Sequence, residues 1–215
     1  MIYFLELFVP RARFAPDELQ DLAHRLTLDA LLTHVDAIPD VVDASEVGGA
    51  DPGVIAMLRD HWHVVVHEIG AWMVGSEALG PDEPARYVAR VHVPGPWRKA
   101  MSAFLVASIT RAIAHFDPDP RRLYEKPHVQ VAVVGVPDGG YGVFGRVLRE
   151  SDVLDLITAA KTTQGTATVD GRLIDPVCGM IAVGGLTLEH EGTTYGFCSP
   201  GCRSHFAKKL AAEDS

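Results

Sequence analysis

Three cysteines lie close together near the end of the 215-residue sequence, at Cys178, Cys198 and Cys202. The spacing C-x19-C-x3-C separates the last two by four residues, so that they share one face where the chain is helical. A thiol binds a metal as its thiolate, and the dipole at the N-terminus of a helix favours that charged form. Three thiolates that converge at such a terminus form a site for a soft metal ion, and this is the chemistry we expect.

Two other interpretations of the cysteines remain open: three buried thiols without a ligand, or one disulfide with a cysteine left over. The segment around them is too small to bury much apolar surface, so a bound metal would supply stability that it otherwise lacks. Residues 1–9 contain Glu6, alternate in polarity and have no basic start, which predicts a strand and not a signal peptide. We therefore expect a reducing, cytoplasmic location, where clustered cysteines are metal or redox groups.

The elements around the cysteines are predicted to bring them together. Leu186–His190 and Thr193–Phe197 alternate and are rich in β-formers, and Glu191-Gly192 between them predicts a hairpin with a two-residue turn. After Cys198, Ser199 is a favourable N-cap and Pro200 suits the first helical position, which predicts a short helix to about residue 210. The hairpin would return Cys178 to the start of that helix.

The segments around the three cysteines resemble a known family. The segments Asp175-Pro-Val-Cys-Gly-Met180, Tyr195-Gly-Phe-Cys-Ser199 and Gly201-Cys202, followed by Phe206, resemble a YHS domain of the TRASH-like heavy-metal-binding group. The resemblance covers about residues 171–212. It implies that the three cysteines bind a zinc or copper ion, since such modules occur beside metal-transporting ATPases and in metal-handling proteins.

The fourth ligand is open between two histidines and solvent. His205 follows Cys202 by three residues, close to the same helical face, and we favour it; His190 lies at the tip of the predicted hairpin. The alternative for either residue is an ordinary surface histidine. A second group of histidines, at His61, His63 and His67 with His92, alternates on predicted strands, where partly buried histidines are the simpler explanation than a second metal site.

Composition excludes several other classes of function. The formal net charge is −9 and no run of Lys or Arg is present, so we expect no general affinity for nucleic acid. No apolar stretch approaches the length needed to span a bilayer, and we expect no membrane partner. At 215 residues the chain is long enough for one well-formed core and a small additional module, or for two modest domains.

The first 150 residues contain a repeat. Tyr3–Pro10 and Tyr87–Pro94 are similar β-prone segments at an offset of 84 residues. Each is followed by an amphipathic helical pattern and a second β-prone segment, His63–Glu68 or His128–Val134. Two β-α-β units of this kind predict an α+β fold in which all strands join one sheet and both helices cover one face.

This repeat, above all Val134-Gly-Val-Pro-Asp-Gly-Gly-Tyr-Gly-Val-Phe-Gly145, resembles the tautomerase superfamily. Its members use β-α-β units, often fused in tandem, and commonly assemble as trimers or hexamers. The resemblance therefore implies a homo-oligomer, with a trimer favoured. The alternative is an unrelated α+β sandwich that arose from a duplication.

One departure from that superfamily concerns catalysis. Tautomerases use an N-terminal proline as acid or base, whereas this chain begins Met1-Ile2, and the nitrogen of Pro84 is a non-basic amide. The catalytic residue is therefore unknown. Arg11 and Arg13 follow the first strand, where the family tends to keep a substrate-binding arginine; a solvated loop is the alternative explanation.

The sequence thus predicts three parts: a tandem tautomerase-like domain at 1–150 with repeats at about 1–80 and 85–150, a helix and flexible linker at 151–170, and a YHS-like module at 171–215. We interpret the chain as a zinc- or copper-binding protein on an oligomeric scaffold, in metal sensing or trafficking. The alternative is a tautomerase-like enzyme for a small keto or unsaturated acid, with the metal module as an accessory.

Overall fold

The computed structural model of the chain describes residues 3–33, 51–162, 168–169, 171–182 and 184–213. These residues form two compact units. The first contains residues 3–33 and 61–137, and the second contains residues 51–60 and 138–213. Helices and strands are mixed in both units, which confirms the predicted α+β class.

The described helices are α1 (Pro16–Arg25), α2 (Leu28–Thr33), α3 (Pro52–Asp60), α4 (Arg98–Phe116), α5 (Arg122–Glu125), α6 (Glu150–Ala160) and α7 (Pro200–Glu213). The described strands are β1 (Tyr3–Pro10), β2 (Trp62–Ile69), β3 (Met73–Val74), β4 (Glu77–Ala78), β5 (Tyr87–Pro94), β6 (Val129–Val136), β7 (Tyr141–Val143), β8 (Arg146–Leu148), β9 (Thr168–Val169), β10 (Arg172–Leu173), β11 (Thr187–His190) and β12 (Thr193–Gly196). No described helix combines the length and the apolar character needed to cross a bilayer.

The first unit contains one four-stranded sheet in the order β2-β1-β5-β6. β1 pairs with β2 and β5 pairs with β6 in parallel, so each pair is one β-α-β unit. The two units join through the antiparallel pairing of β1 with β5. The duplicated segments are strands with the bounds Tyr3–Pro10 and Tyr87–Pro94, which confirms the repeat predicted from the offset of 84 residues.

The core lies on one face of this sheet, because alternate side chains of each strand point to that face. The fully buried residues of β1 and β5 are Leu5, Leu7, Val9, Tyr87, Ala89, Val91 and Val93. The helices contribute the buried side chains of Leu22, Leu105, Ile109 and Ile113. Contacts between α1 and α4 are consistent with both helices covering this face, as predicted.

The second unit contains α3, α6, α7 and a set of short hairpins. Asp51 caps α3, since its Oδ1 accepts the N–H groups of Gly53 and Val54 at 2.8 and 3.3 Å. The same carboxylate accepts the N–H and hydroxyl of Thr162, just after α6, at 3.0 Å. These bonds tie residues 51–60 to a segment more than a hundred residues away in sequence.

The predicted division into a domain at 1–150, a linker at 151–170 and a module at 171–215 stays a prediction. By their contacts, residues 51–60 and 138–150 group with the cysteine-containing unit. The contacts responsible are long-range, and local patterns do not reveal them. Most of the predicted flexible linker lies outside the described residues; within it, Thr168–Val169 pairs with Arg172–Leu173.

Candidate metal centre

A tight turn at Asp175–Gly179 positions the first cysteine. The Oδ1 of Asp175 accepts the N–H groups of Val177 at 2.8 Å and of Cys178 at 3.4 Å, as in an Asx-turn. The turn is closed by a bond from the Gly179 N–H to the Asp175 carbonyl at 2.9 Å. Gly179 has a φ of 73°, and a Cβ there would lie 2.6 Å from the Cβ of Asp51, so the position requires glycine on both counts.

The predicted hairpin brings the chain back to this turn. β11 and β12 pair antiparallel, with His190 opposite Thr193. Glu191 and Gly192 have φ values of 47° and 74°, which is the conformation of a two-residue type I′ turn. The predicted hairpin and its turn are confirmed.

The predicted helix follows directly. α7 begins at Pro200, and the Oγ of Ser199 accepts the N–H of Cys202 at 3.2 Å, so Ser199 is the N-cap. The helix extends to Glu213, slightly further than predicted. Phe206 packs against Tyr195 and Phe197 of the hairpin segment, with ring centroids 4.8 and 5.6 Å apart, and this contact anchors the helix.

The three cysteines meet where the turn, the hairpin and the helix converge. The Sγ atoms of Cys178 and Cys198 are 3.3 Å apart, and those of Cys198 and Cys202 are 3.8 Å apart. Cys178 and Cys202 are buried and Cys198 is half-buried, and all three are free thiols. A metal with Zn–S bonds of about 2.3 Å in tetrahedral geometry holds its sulfurs at about this spacing.

Asp175 is the fourth member of the cluster, and it was not among the predicted site residues. Its carboxylate and the three sulfurs lie within 4.8 Å of one another. Asp175 is 0% exposed, and its Oδ2 accepts the N–H of Cys198 at 2.8 Å while its Oδ1 serves the Cys178 turn. One buried carboxylate therefore holds two cysteines that are 20 residues apart in sequence.

The acidic groups of the cluster, three thiols and one carboxyl group, shift one another's pKa values. Hydrogen bonds from Cys178 and Cys198 lower the pKa of Cys202, so its thiolate forms readily. Hydrogen bonds to Cys198 and Cys202, together with burial, raise the pKa of Cys178. Burial and the neighbouring Cys202 charge raise the pKa of Asp175, although backbone N–H groups oppose this. The cluster thus ionises readily at Cys202, whereas ionisation of Cys178 and Asp175 is unfavourable unless a cation is bound.

Lys161 is a nearby positive group. Its Nζ donates a 2.7 Å hydrogen bond to the carbonyl of Pro176, within the turn that carries Cys178. Burial lowers the pKa of Lys161, and the charges of Asp175, Asp51 and Cys178 oppose that shift. Because this hydrogen bond goes to a backbone carbonyl of the turn, Lys161 stabilises the turn.

Neither histidine proposed as a fourth ligand belongs to the cluster of four. The Nε2 of His205 lies 3.3 Å from Asp155 Oδ1, within ion-pair distance but without hydrogen-bond geometry. His190 ends β11 beside the hairpin turn. In the described part of the chain, Asp175 and the three cysteines form the one group of three or more metal-ligating side chains this closely spaced.

The predicted substrate-binding arginines lie in the first unit. The guanidinium of Arg13 donates to the carbonyls of Pro81 and Gly80, the latter at 2.8 Å, so it is engaged in holding that loop. The Arg11 N–H donates to the Ile69 carbonyl at 3.0 Å. Met1 and Ile2, which stand where the superfamily has its catalytic proline, lie outside the described residues.

The strand histidines are placed on the sheet of the first unit. Glu6 lies between two of them, with 3.2 Å from Oε1 to His67 Nε2 and 3.2 Å from Oε2 to His92 Nε2. His63 lies two residues before Val65, the partner of Glu6 on β2. Each carboxylate oxygen of Glu6 therefore lies beside a separate ring, and the contact with His92 has hydrogen-bond geometry.

Neither a family model nor a curated protein matches the sequence, whereas solved structures do match. A structure described as a fused 4-OT wild-type asymmetric trimer aligns at 18% identity over 67% of this chain and 94% of its own, with a TM-score of 0.44. A macrophage migration inhibitory factor-like protein from Entamoeba histolytica aligns at 5% identity over 69% and 100%, with a TM-score of 0.42. N1, a member of the cis-3-chloroacrylic acid dehalogenase family, aligns at 15% identity over 67% and 82%, with a TM-score of 0.41. These neighbours are tautomerase-superfamily proteins.

Proposed function

We propose that this chain binds a soft transition-metal ion, zinc or copper, through the thiolates of Cys178, Cys198 and Cys202. The observation that carries the proposal is the convergence of these sulfurs with the Asp175 carboxylate within 4.8 Å. Three thiolates with one oxygen or nitrogen donor complete a tetrahedral zinc site, and three thiolates alone suit Cu(I). The fit is supported by Asp175, because a buried carboxylate beside three sulfurs is stabilised by a bound cation.

We further propose that the cysteine-containing segment is a YHS-type module and that the first unit is a tautomerase-like, homo-oligomeric scaffold, with a trimer favoured. The support is the motif set around the three cysteines and the duplicated β-α-β sheet. Metal sensing or trafficking is the role that suits such a pair of parts. Light scattering that finds a monomer at micromolar concentration would contradict the oligomeric part.

The first experiment is elemental analysis of anaerobically purified, untagged protein, with free thiols counted before and after chelation. We expect one zinc or copper per chain and thiols that become reactive only after the chelator removes the metal. Protein that contains no metal and shows three freely reactive thiols would overturn the proposal, and would direct attention to keto–enol chemistry in the first unit.

The double variant Cys198→Ser/Cys202→Ser tests the ligands directly. We expect it to lose metal and to unfold the cysteine-containing segment, while the first unit stays folded. A full metal complement in this variant would show that the ligand assignment is wrong.

Two single variants serve as matched tests of the fourth position. His205→Ala and His190→Ala are expected to keep one metal per chain, because neither ring lies within the cluster of four. Loss of metal in one of them would assign that histidine as a ligand.

A further inference from the structure

Cys198 differs from its two partners in exposure to solvent. Cys178 is 7% exposed and Cys202 is 4% exposed, whereas Cys198 is half-buried and is the sulfur that solvent-borne reagents reach most readily. The Sγ of Cys198 lies 3.3 Å from the Sγ of Cys178 and 3.8 Å from the Sγ of Cys202. A disulfide bond is about 2.05 Å long, so the nearer pair needs an approach of only about 1 Å.

We propose that Cys198 is a site of reversible oxidation by hydroperoxides and that Cys178 resolves the product as a disulfide, which opens the metal site. The proposal rests on the proposed function for its metal, but its cysteine chemistry is measurable without one. It assigns two different tasks to two of the three thiolates.

The chemistry takes two steps. In the first step the Cys198 thiol loses its proton, its sulfur attacks the terminal oxygen of the hydroperoxide, an S–O bond forms, the O–O bond breaks, and the leaving alkoxide or hydroxide takes a proton. In the second step the Cys178 thiol loses its proton, its sulfur attacks the Cys198 sulfur, an S–S bond forms, the S–O bond breaks, and hydroxide leaves and is protonated to water. Two thiols are oxidised by two electrons to one disulfide, and one hydroperoxide is reduced to an alcohol or water.

Cys178 is favoured over Cys202 as the resolving thiol for two reasons. The first is the shorter sulfur–sulfur distance, 3.3 Å compared with 3.8 Å. The second is backbone restraint: Cys202 lies in the first turn of α7, where its N–H is bonded to the Ser199 Oγ. Cys178 lies in a turn, and Asp175 accepts hydrogen bonds from the N–H groups of both Cys178 and Cys198, which keeps this pair together.

The disulfide removes two of the three sulfur ligands at once. Cys202 and Asp175 would then remain, and a thiolate with one carboxylate is a far weaker site for zinc or Cu(I) than three thiolates. Oxidation would therefore release the metal, and a reducing agent would restore both the thiols and the binding.

The test uses the full-length protein loaded with zinc and treated with hydrogen peroxide. Zinc release is followed with a colorimetric chelator, thiols are counted after denaturation, and the disulfide is located by peptide mass spectrometry. We expect one zinc released per chain, a fall from three thiols to one, a Cys178–Cys198 disulfide, and reversal by dithiothreitol. Retention of zinc with three intact thiols, or a disulfide between Cys198 and Cys202, would overturn the proposal.

Two variants separate the tasks of the sulfurs. Cys178→Ser is expected to stop at a sulfenic acid on Cys198, which dimedone traps; an adduct on Cys202 instead would overturn the assignment. Cys202→Ser keeps both reacting sulfurs and is expected to form the Cys178–Cys198 disulfide. The wild-type disulfide map decides the question even where a variant folds poorly.

The two proposals fail in distinguishable ways. Absence of metal before any peroxide is added contradicts the proposed function. The disulfide map of metal-free protein still reports whether Cys178 and Cys198 react as a pair. Metal that binds and then stays bound under peroxide, with all thiols intact, contradicts the oxidation alone.

Discussion

Each of the two units buries a cluster of polar side chains, and the clusters differ in how their charge is balanced. In the first unit the guanidinium of Arg122 donates to both carboxylate oxygens of Asp117, with Nε to Oδ1 at 2.9 Å. Tyr87 adds a 2.8 Å hydrogen bond to Asp117, and Arg122 Nη1 donates to the Ala85 carbonyl at 2.8 Å. The same Nη1 donates to His128 Nδ1, and burial together with the charges of Arg86 and Arg122 lowers the pKa of that ring.

In the second unit the buried carboxylate of Asp175 has thiols and backbone N–H groups as its close neighbours. Backbone N–H groups are neutral donors, so they stabilise the carboxylate without cancelling its charge. The Arg122 cluster is thus neutralised by a guanidinium bonded directly to its carboxylate. In the cysteine cluster the nearby cation, Lys161, donates to the Pro176 carbonyl, and the four donor atoms are left for a metal cation to complete.

The largest expected effect is removal of the metal by a chelator. The free energy of unfolding of the second unit should fall by on the order of 10 kcal/mol, the size of the apparent binding free energy of a structural metal ion. The reason is that folding and metal binding are coupled in small metal modules. Hydrogen exchange should show lost protection at residues 171–213 and unchanged protection in β1 and β5. Equal loss of protection in both units would show that the metal stabilises the whole chain and not the second unit alone.

The second largest effect on stability is expected in the Arg122 cluster of the first unit. Arg122→Met leaves the Asp117 carboxylate buried and unpaired, and we expect a cost of about 3–5 kcal/mol. Urea unfolding measures this cost, and metal content should remain unchanged. Arg121→Met is the matched control, since Arg121 is an exposed partner of Glu125 and its loss should cost less than about 1 kcal/mol. Similar costs for the two variants would contradict this account of the Arg122 cluster.

A smaller effect is expected from Asp175→Asn. The amide keeps the size of the side chain but presents an N–H₂ group to one of the backbone donors, so we expect a loss of about 1–3 kcal/mol. Metal affinity should fall by about 10–100-fold, as for residues that orient metal ligands. Asp155→Asn is the control, because that carboxylate is exposed. A metal affinity that is unchanged in Asp175→Asn would remove Asp175 from the site.

The smallest effect compares two tyrosines. Tyr87→Phe removes a donor from Asp117 and should cost about 1 kcal/mol. Tyr141→Phe should be neutral or slightly stabilising, since the buried Tyr141 hydroxyl has no hydrogen-bond partner among the described residues. A larger cost for Tyr141→Phe than for Tyr87→Phe in urea unfolding would contradict this ranking.

Tyr141 also leads to a prediction about the pH dependence of stability. Burial raises the pKa of Tyr141 from 10.0 to about 12, so the folded state favours the neutral hydroxyl. The stability that this shift contributes is complete below pH 10 and is lost as the pH rises towards 12. The Tyr141→Phe variant should lack that loss when unfolding is measured across the same pH range, and an identical pH profile would contradict the assignment.

Much of the local structure was predictable because short-range patterns determine it. The turn at Glu191-Gly192, the N-cap at Ser199 and the strand repeat at Tyr3 and Tyr87 depend on neighbouring residues or on simple periodicity. The spacing of the cysteines with these elements was enough to predict their convergence. The α+β class followed from the same patterns.

The role of Asp175 was less accessible, although a signal for it was present. Asp-Pro-Val-Cys has the form of an Asx-turn, in which an aspartate accepts N–H groups two and three residues on, and this could have indicated Oδ1. The bond from Oδ2 to the Cys198 N–H depends on how the hairpin returns, so no local pattern contains it.

Local sequence therefore indicated three thiols that converge, a hairpin that brings the chain back to Cys178, and a capped helix that begins just before Cys202. Tertiary structure alone decided which oxygen joins them, that His205 lies near Asp155, and that residues 51–60 pack with the cysteine-containing unit. The physical reason is range. Turns, caps and alternation are set by hydrogen bonds and packing within a few residues, whereas a buried carboxylate or helix finds its partner only when the whole unit closes around it.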